Sequence, residues 1–184
     1  MTRDEGWEAT GGAGPAARRP PRIVAHRGSS VLRAEHTAAA YELALSEGAD
    51  GLECDVRLTA DGHLVCIHDR TIDRTSDGSG FVSEMTIDEL AQYDFAAATG
   101  DPEPAGVLEL SALIELALDH ARPVKVFIET KHPVRFGGVV EARVLETLQR
   151  YGLAAPPSAM HARAVVMSFS PTAVWRVRRA APLL

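Results

Sequence analysis

The chain is short of cysteine, carries no excess of positive charge and contains no long apolar run, and each shortage removes a class of explanation. Two cysteines stand among 184 residues, Cys54 and Cys66, both inside apolar runs and without metal-finger spacing. That excludes a disulfide framework and a zinc finger, and burial preference makes free interior thiols the expectation. A formal net charge of −6 argues against a broad nucleic-acid surface, which would present a basic face. Any anionic ligand must then be held by a local cluster of cations. No apolar stretch has the length of a secretory core or a membrane span, so no transmembrane segment and a cytoplasmic location are expected.

What is present is ordinary for a globular domain: 46% hydrophobic and 24% charged residues. Residues 1–21 mix Gly, Ala and Arg with Pro20 and Pro21 and show no periodicity, which predicts a flexible N-terminal tail before a domain over 22–184. Strand-like runs then alternate with helical ones. Ile23 to Ala25, Leu52 to Leu58, Leu64 to Ile67, Val124 to Ile128 and Ala164 to Phe169 are strand candidates. Thr37 to Glu47, Ser111 to His120 and Val139 to Tyr151 are helical, with Gly48 and Gly152 closing the first and last. Thr86-Ile87-Asp88-Glu89 has capping-box form, and Ser170-Pro171 supplies an N-cap and a favoured first residue. This order predicts an α/β fold with a largely parallel sheet, whose sites gather at the carboxyl ends of the strands.

The polar residues fall at those ends. His26-Arg27-Gly28 follows the first strand, bringing an imidazole, a guanidinium able to fork onto phosphate, and a flexible glycine. Alone it could be an incidental surface turn. Glu53 and Asp55 are two apart on the second strand and share a face. Two such charges in an apolar strand are costly unless a divalent cation offsets them; a solvated edge strand is the blander explanation. Asp61-Gly62 reads as a two-residue hairpin turn, a register that sets Asp55 opposite His68 and puts Cys54 and Cys66 on opposite faces. Such a hairpin either leaves a parallel barrel wall or contributes a strand running against its neighbours. Glu129 and Lys131 again share a face; by themselves they would be a modest surface ion pair. Three strand ends that each carry acid, base or cation suit hydrolysis of a phosphodiester.

These residues resemble the glycerophosphodiester phosphodiesterase family through His26-Arg27-Gly28, Glu35-His36-Thr37, the run from Gly48 to Val56, Thr59 to Gly62, His68-Asp69 and Ile128 to Lys131. The resemblance implies a TIM-type β/α barrel that releases glycerol 3-phosphate and an alcohol from glycerophosphodiesters, in lipid and glycerol metabolism. It further implies His26 and His68 as the acid–base pair, Glu53, Asp55 and Glu129 as ligands of one divalent cation, Mg²⁺ or Ca²⁺, and Arg27 and Lys131 as phosphate contacts. The family often has Pro-Glu-Asn-Thr where this chain has Ala34-Glu35-His36-Thr37, and Glu35 and His36 are left outside the catalytic set. His63, His120 and His161 read as ordinary surface or helix-end residues, and His132 is unassigned.

Two other functions share some of these features. A related phospholipase D-type phosphodiesterase would call for secretion and a lipid-binding surface, and a non-catalytic phosphate-binding fragment would have lost a histidine or a metal ligand. A complete barrel has about eight strands and typically about 250 residues. Five strand starts are found here, with Pro182-Leu183-Leu184 resembling the beginning of a sixth. A barrel truncated after about five β/α units is therefore expected, with open edges, a tendency to self-associate and weak activity.

Overall fold

A computed structural model describes residues 20–134 and 137–184, so the tail expected over residues 1–21 lies almost wholly outside the described residues. Strand formers and helix formers alternate to give β1 (Val24–His26), α1 (Ala38–Ser46), β2 (Gly51–Leu58), β3 (Leu64–Cys66) and α2 (Ile87–Leu90). The second half continues with α3 (Leu110–Asp119), β4 (Lys125–Thr130), α4 (Val139–Arg150), β5 (Ala164–Met167) and α5 (Pro171–Ala180). Local chemistry sets several of these boundaries. The Thr37 hydroxyl accepts from the Ala40 N–H to open α1, Thr86 and Glu89 form a reciprocal capping box on α2, and Ser170 caps α5 ahead of Pro171.

The strands lie in the order β1-β2-β4-β5, all parallel, with a helix on each crossover. This is the wall of a TIM-type barrel, open between β1 and β5, each of which pairs on one side only among the described residues. The outer face of the sheet carries Leu52, Cys54, Val56, Val126 and Ile128 against Tyr41, Leu113, Ile114, Val144 and Leu148 of the helices. Burying each large side chain there contributes roughly 1.5–3 kcal/mol. A second, smaller core of Val65, Ile67, Ile72, Val82, Leu90 and Phe95 packs the excursion between β3 and α3.

Three expectations are corrected. The hairpin loop has three residues, Ala60 to Gly62: the Thr59 N–H donates to the His63 carbonyl at 3.0 Å and the His63 N–H to Thr59 Oγ1 at 2.8 Å. Asp61 is drawn out of a two-residue turn because its carboxylate accepts from the Thr59 hydroxyl and from the Ile87 N–H at the start of α2. The resulting register, Val56↔Cys66, is one residue from the expected one, and a one-residue slip exchanges faces. Cys54 and Cys66 therefore share the buried outer face as free thiols, and Ile67 rather than His68 meets Asp55, its N–H donating to the Asp55 carbonyl at 3.0 Å. β3 runs antiparallel to the last three residues of β2, off the main path of the sheet. Finally, residues 182–184 form a turn instead of a strand, with the Leu184 N–H bonded to the Ala181 carbonyl at 3.2 Å.

Candidate active site

The inner face of the sheet is charged where the outer face is apolar. Strand alternation turns Glu53 and Asp55 inward together, and the β2–β4 register places Glu129 beside Asp55. One carboxylate oxygen from each of the three lies within 4.8 Å of the others. Glu53 and Asp55 are only 5% and 1% exposed.

β1 delivers the next groups. Its register sets His26 against Glu53, with Nε2 3.8 Å from Glu53 Oε2. Arg27 follows in the left-handed region at φ +60°, so its backbone N–H reaches Glu53 Oε2 at 3.1 Å while its Nε lies 3.0 Å from Asp55 Oδ2 and its Nη1 3.3 Å from Glu35. This turn needs glycine next: Gly28 has φ +83°, and a Cβ there would lie 2.7 Å from Ala40 of α1.

The cross-strand pairing expected for His68 is not formed, and the residue is held through its neighbours instead. Arg57 follows Glu53 and Asp55 on the inner face of β2, and its guanidinium donates to the His68 carbonyl at 3.0 and 2.8 Å. The imidazole is oriented by Asp69, 2.7 Å from its Nδ1. Asp69 in turn pairs with Arg74, which forks onto Glu35 at 3.0 and 2.7 Å, and Glu35 pairs with Arg27. One ionic chain thus links His68 to the turn that bears His26. Lys131 Nζ closes the other side, 2.7 Å from Glu129 and 3.2 Å from Asp55. His132 points elsewhere, 3.0 Å from the buried Glu141 of α4.

The carboxylates are electrostatically unequal. Glu53 is pushed up to about 7, first by burial and then by the neighbouring Asp55 charge. Burial would raise Asp55 as well, but its hydrogen bond to His36 and the charges of Lys131 and Arg27 outweigh it and hold Asp55 well below the usual carboxylate range. Glu53 Oε1 and Asp55 Oδ1 are buried and find no hydrogen-bond partner among the described residues. These two buried oxygens, one bare and one met only by the Lys131 ammonium at 3.2 Å, form with a third carboxylate in reach a hard-oxygen donor set that fits a divalent cation such as Mg²⁺ or Ca²⁺.

Sequence reasoning missed several supporting groups. Arg57 was recoverable, since it continues the Glu53, Asp55 alternation. Glu35 and His36 stood in a noted motif but without a role, and Tyr41 and Arg74 gave no local signal, because their partners lie 12 and 39 residues away.

Residues 26–184 match the glycerophosphoryl diester phosphodiesterase family. The chain is 60% identical over 170 residues to "Probable glycerophosphodiester phosphodiesterase 1" of Mycobacterium tuberculosis, covering 89% of this chain and 62% of that protein. The crystal structure of glycerophosphodiester phosphodiesterase from Agrobacterium tumefaciens superimposes with a TM-score of 0.74 at 34% identity, covering 88% of this chain and 63% of that one. An Oleispira antarctica phosphodiesterase solved with the product sn-glycerol-3-phosphate gives 0.74 at 28% identity, again over 88% and 63%. The chain belongs to the glycerophosphoryl diester phosphodiesterase family, and it spans somewhat over three fifths of the length of these relatives.

Proposed function

We propose that this chain carries the catalytic face of a metal-dependent phosphodiesterase that hydrolyses glycerophosphodiesters to glycerol 3-phosphate and an alcohol. The observation that carries the proposal is the convergence of Glu53, Asp55 and Glu129 within 4.8 Å beside an imidazole on β1. In this role the three carboxylates hold one divalent cation, Mg²⁺ or Ca²⁺. When bound, that cation supplies Lewis-acid stabilisation of phosphoryl charge. His26 and His68 move the protons, one taking a proton from the attacking water and the other giving one to the leaving alcohol oxygen. Asp69 orients His68 for this task, as a carboxylate commonly orients a catalytic imidazole.

Arg27 and Lys131 answer the need for local cations in a chain of net charge −6. Both already border the acidic cluster, so a phosphate placed over it would meet their donors. A cleft of about 500 Å³ opens beside Glu129 and Lys131, lined also by His132, Phe169, Ser170 and Arg176, and gives the diester room. A cytoplasmic location suits the two free thiols; among the described residues no helix is long and apolar enough to cross a membrane. Self-association belongs to the same proposal, since Ile23 and Phe169 are 63% and 90% exposed beside the two open edges of the sheet.

The test is glycerol 3-phosphate release from a panel of glycerophosphodiesters, with and without chelation. Turnover is expected to vanish with EDTA and return with Mg²⁺ or Ca²⁺. Unchanged turnover in metal-free protein would remove the cation from the mechanism.

A further inference from the structure

Against the acidic cluster, a histidine and a tyrosine are buried with all their side-chain polar atoms engaged. His36 is 5% exposed and Tyr41 is fully buried. His36 Nε2 lies 3.0 Å from Asp55 Oδ2, a carboxylate acceptor for the ring N–H. At the other end of the ring, the Tyr41 hydroxyl donates to the Glu53 carbonyl at 2.9 Å, and its oxygen lies 2.8 Å from Nδ1. The imidazole is therefore pinned at both nitrogens and cannot flip without breaking both bonds. Its backbone is pinned as well: the His36 N–H donates to the Arg27 carbonyl at 3.1 Å, and both residues hold positive φ, +61° and +60°.

A buried histidine is usually a satisfied core residue. This one differs in what it touches: its polar contacts run to one proposed metal ligand directly and, through Tyr41, to the main chain of another. With Oδ2 of Asp55 occupied by His36 and Arg27, the remaining oxygen, Oδ1, is the one left without a hydrogen bond and turned toward Lys131. Tyr41 fixes the height of Glu53 from α1, a different element. Outer partners of this kind fix ligand orientation and typically change metal affinity about 10–100-fold when removed.

We propose that His36 and Tyr41 form a brace of two positioning residues that presents Asp55 and Glu53 to the cation and sets the affinity of the site. The proposal rests on the reading that Glu53, Asp55 and Glu129 hold a divalent cation. It also accounts for the residue type at position 36. The site needs a side chain that tolerates the left-handed region and offers an N–H to Asp55, which His and Asn both do and Ala does not.

The test is calorimetric titration of the full chain with MgCl₂ and with CaCl₂, alongside the melting temperature of each protein in EDTA. His36→Ala is expected to weaken the tighter-binding ion about 10–100-fold. Tyr41→Phe is expected to weaken it about fivefold, the worth of roughly one hydrogen bond. His36→Asn is expected to bind more tightly than His36→Ala. Glu129→Gln, which does not touch the brace, should abolish binding whatever the brace does. If Glu129→Gln loses the ion while His36→Ala and Tyr41→Phe bind as the wild type does, the brace is overturned and the metal site stands. A lower metal-free melting temperature with unchanged affinity also overturns it, because that is all a core role would produce. If the wild type binds neither ion, the metal reading fails and takes the brace with it. Should His36→Ala not fold, Tyr41→Phe and His36→Asn decide the matter.

Discussion

The two faces of β2 and β4 are made from alternating residues of the same strands and have opposite characters. Outward, Leu52, Cys54, Val56, Val126 and Ile128 lie in the apolar layer under the helices. Inward, Glu53, Asp55 and Glu129 crowd like charges and leave two buried oxygens without hydrogen bonds. The outer face lowers the free energy of the fold, and the inner face stores a cost that becomes useful only when a ligand offsets it. Neighbouring positions in one strand should therefore fail in different ways when altered.

The largest separation is expected at the histidines. His26→Ala and His68→Ala should each lower turnover about 10²–10⁴-fold while the melting temperature stays near that of the wild type. Near-normal turnover in either variant would remove that imidazole from the mechanism. The mirror experiment is Ile128→Ala, one residue before Glu129 and fully buried on the outer face. Denaturant unfolding should show a loss of about 2–5 kcal/mol, with the affinity for the divalent cation retained in the folded fraction. A variant that instead kept its stability and lost metal affinity would mean that the faces are not separable. The smallest effect belongs to a group on neither face. His63 is raised above its ordinary value chiefly by its hydrogen bond to Glu109, so the stability it contributes is complete below about 6.5 and is lost as pH rises through its folded value. Because the pair is largely exposed, His63→Ala should cost under about 1 kcal/mol at pH 6, shrinking toward pH 8, with turnover unaffected.

The legibility of the sequence follows the same division. Period-two alternation carries the pairing of Glu53 with Asp55 and of Glu129 with Lys131, and capping chemistry carries the starts of α2 and α5, because both depend on residues within a few positions of each other. The hairpin register was not legible. Asp61-Gly62 looks like a two-residue turn until the Ile87 N–H, 26 residues on, claims the Asp61 carboxylate. The pairing of His68 with Asp55 rested on the wrong register; what holds His68 is Arg57 and the Asp69–Arg74–Glu35 chain, whose Arg74–Glu35 link joins residues 39 apart. His36 was visible as a departure from the familiar Asn, yet its purpose needed Tyr41 and Asp55 to be seen on two other elements at once.

The excursion between β3 and α3 has its own small core, apart from the layer under the helices. A segment with separate packing can open locally at a lower free energy than global unfolding, exchanging its amides with solvent while the sheet stays closed to exchange. Arg74, like His68 and Asp69, lies on that segment and Glu35 does not, so each such opening would break the link from His68 to Arg27 at the Arg74–Glu35 pair. Amide exchange would then show two lifetimes: a long one for the strands that carry Glu53, Asp55 and Glu129, and a shorter one for the segment that orients His68.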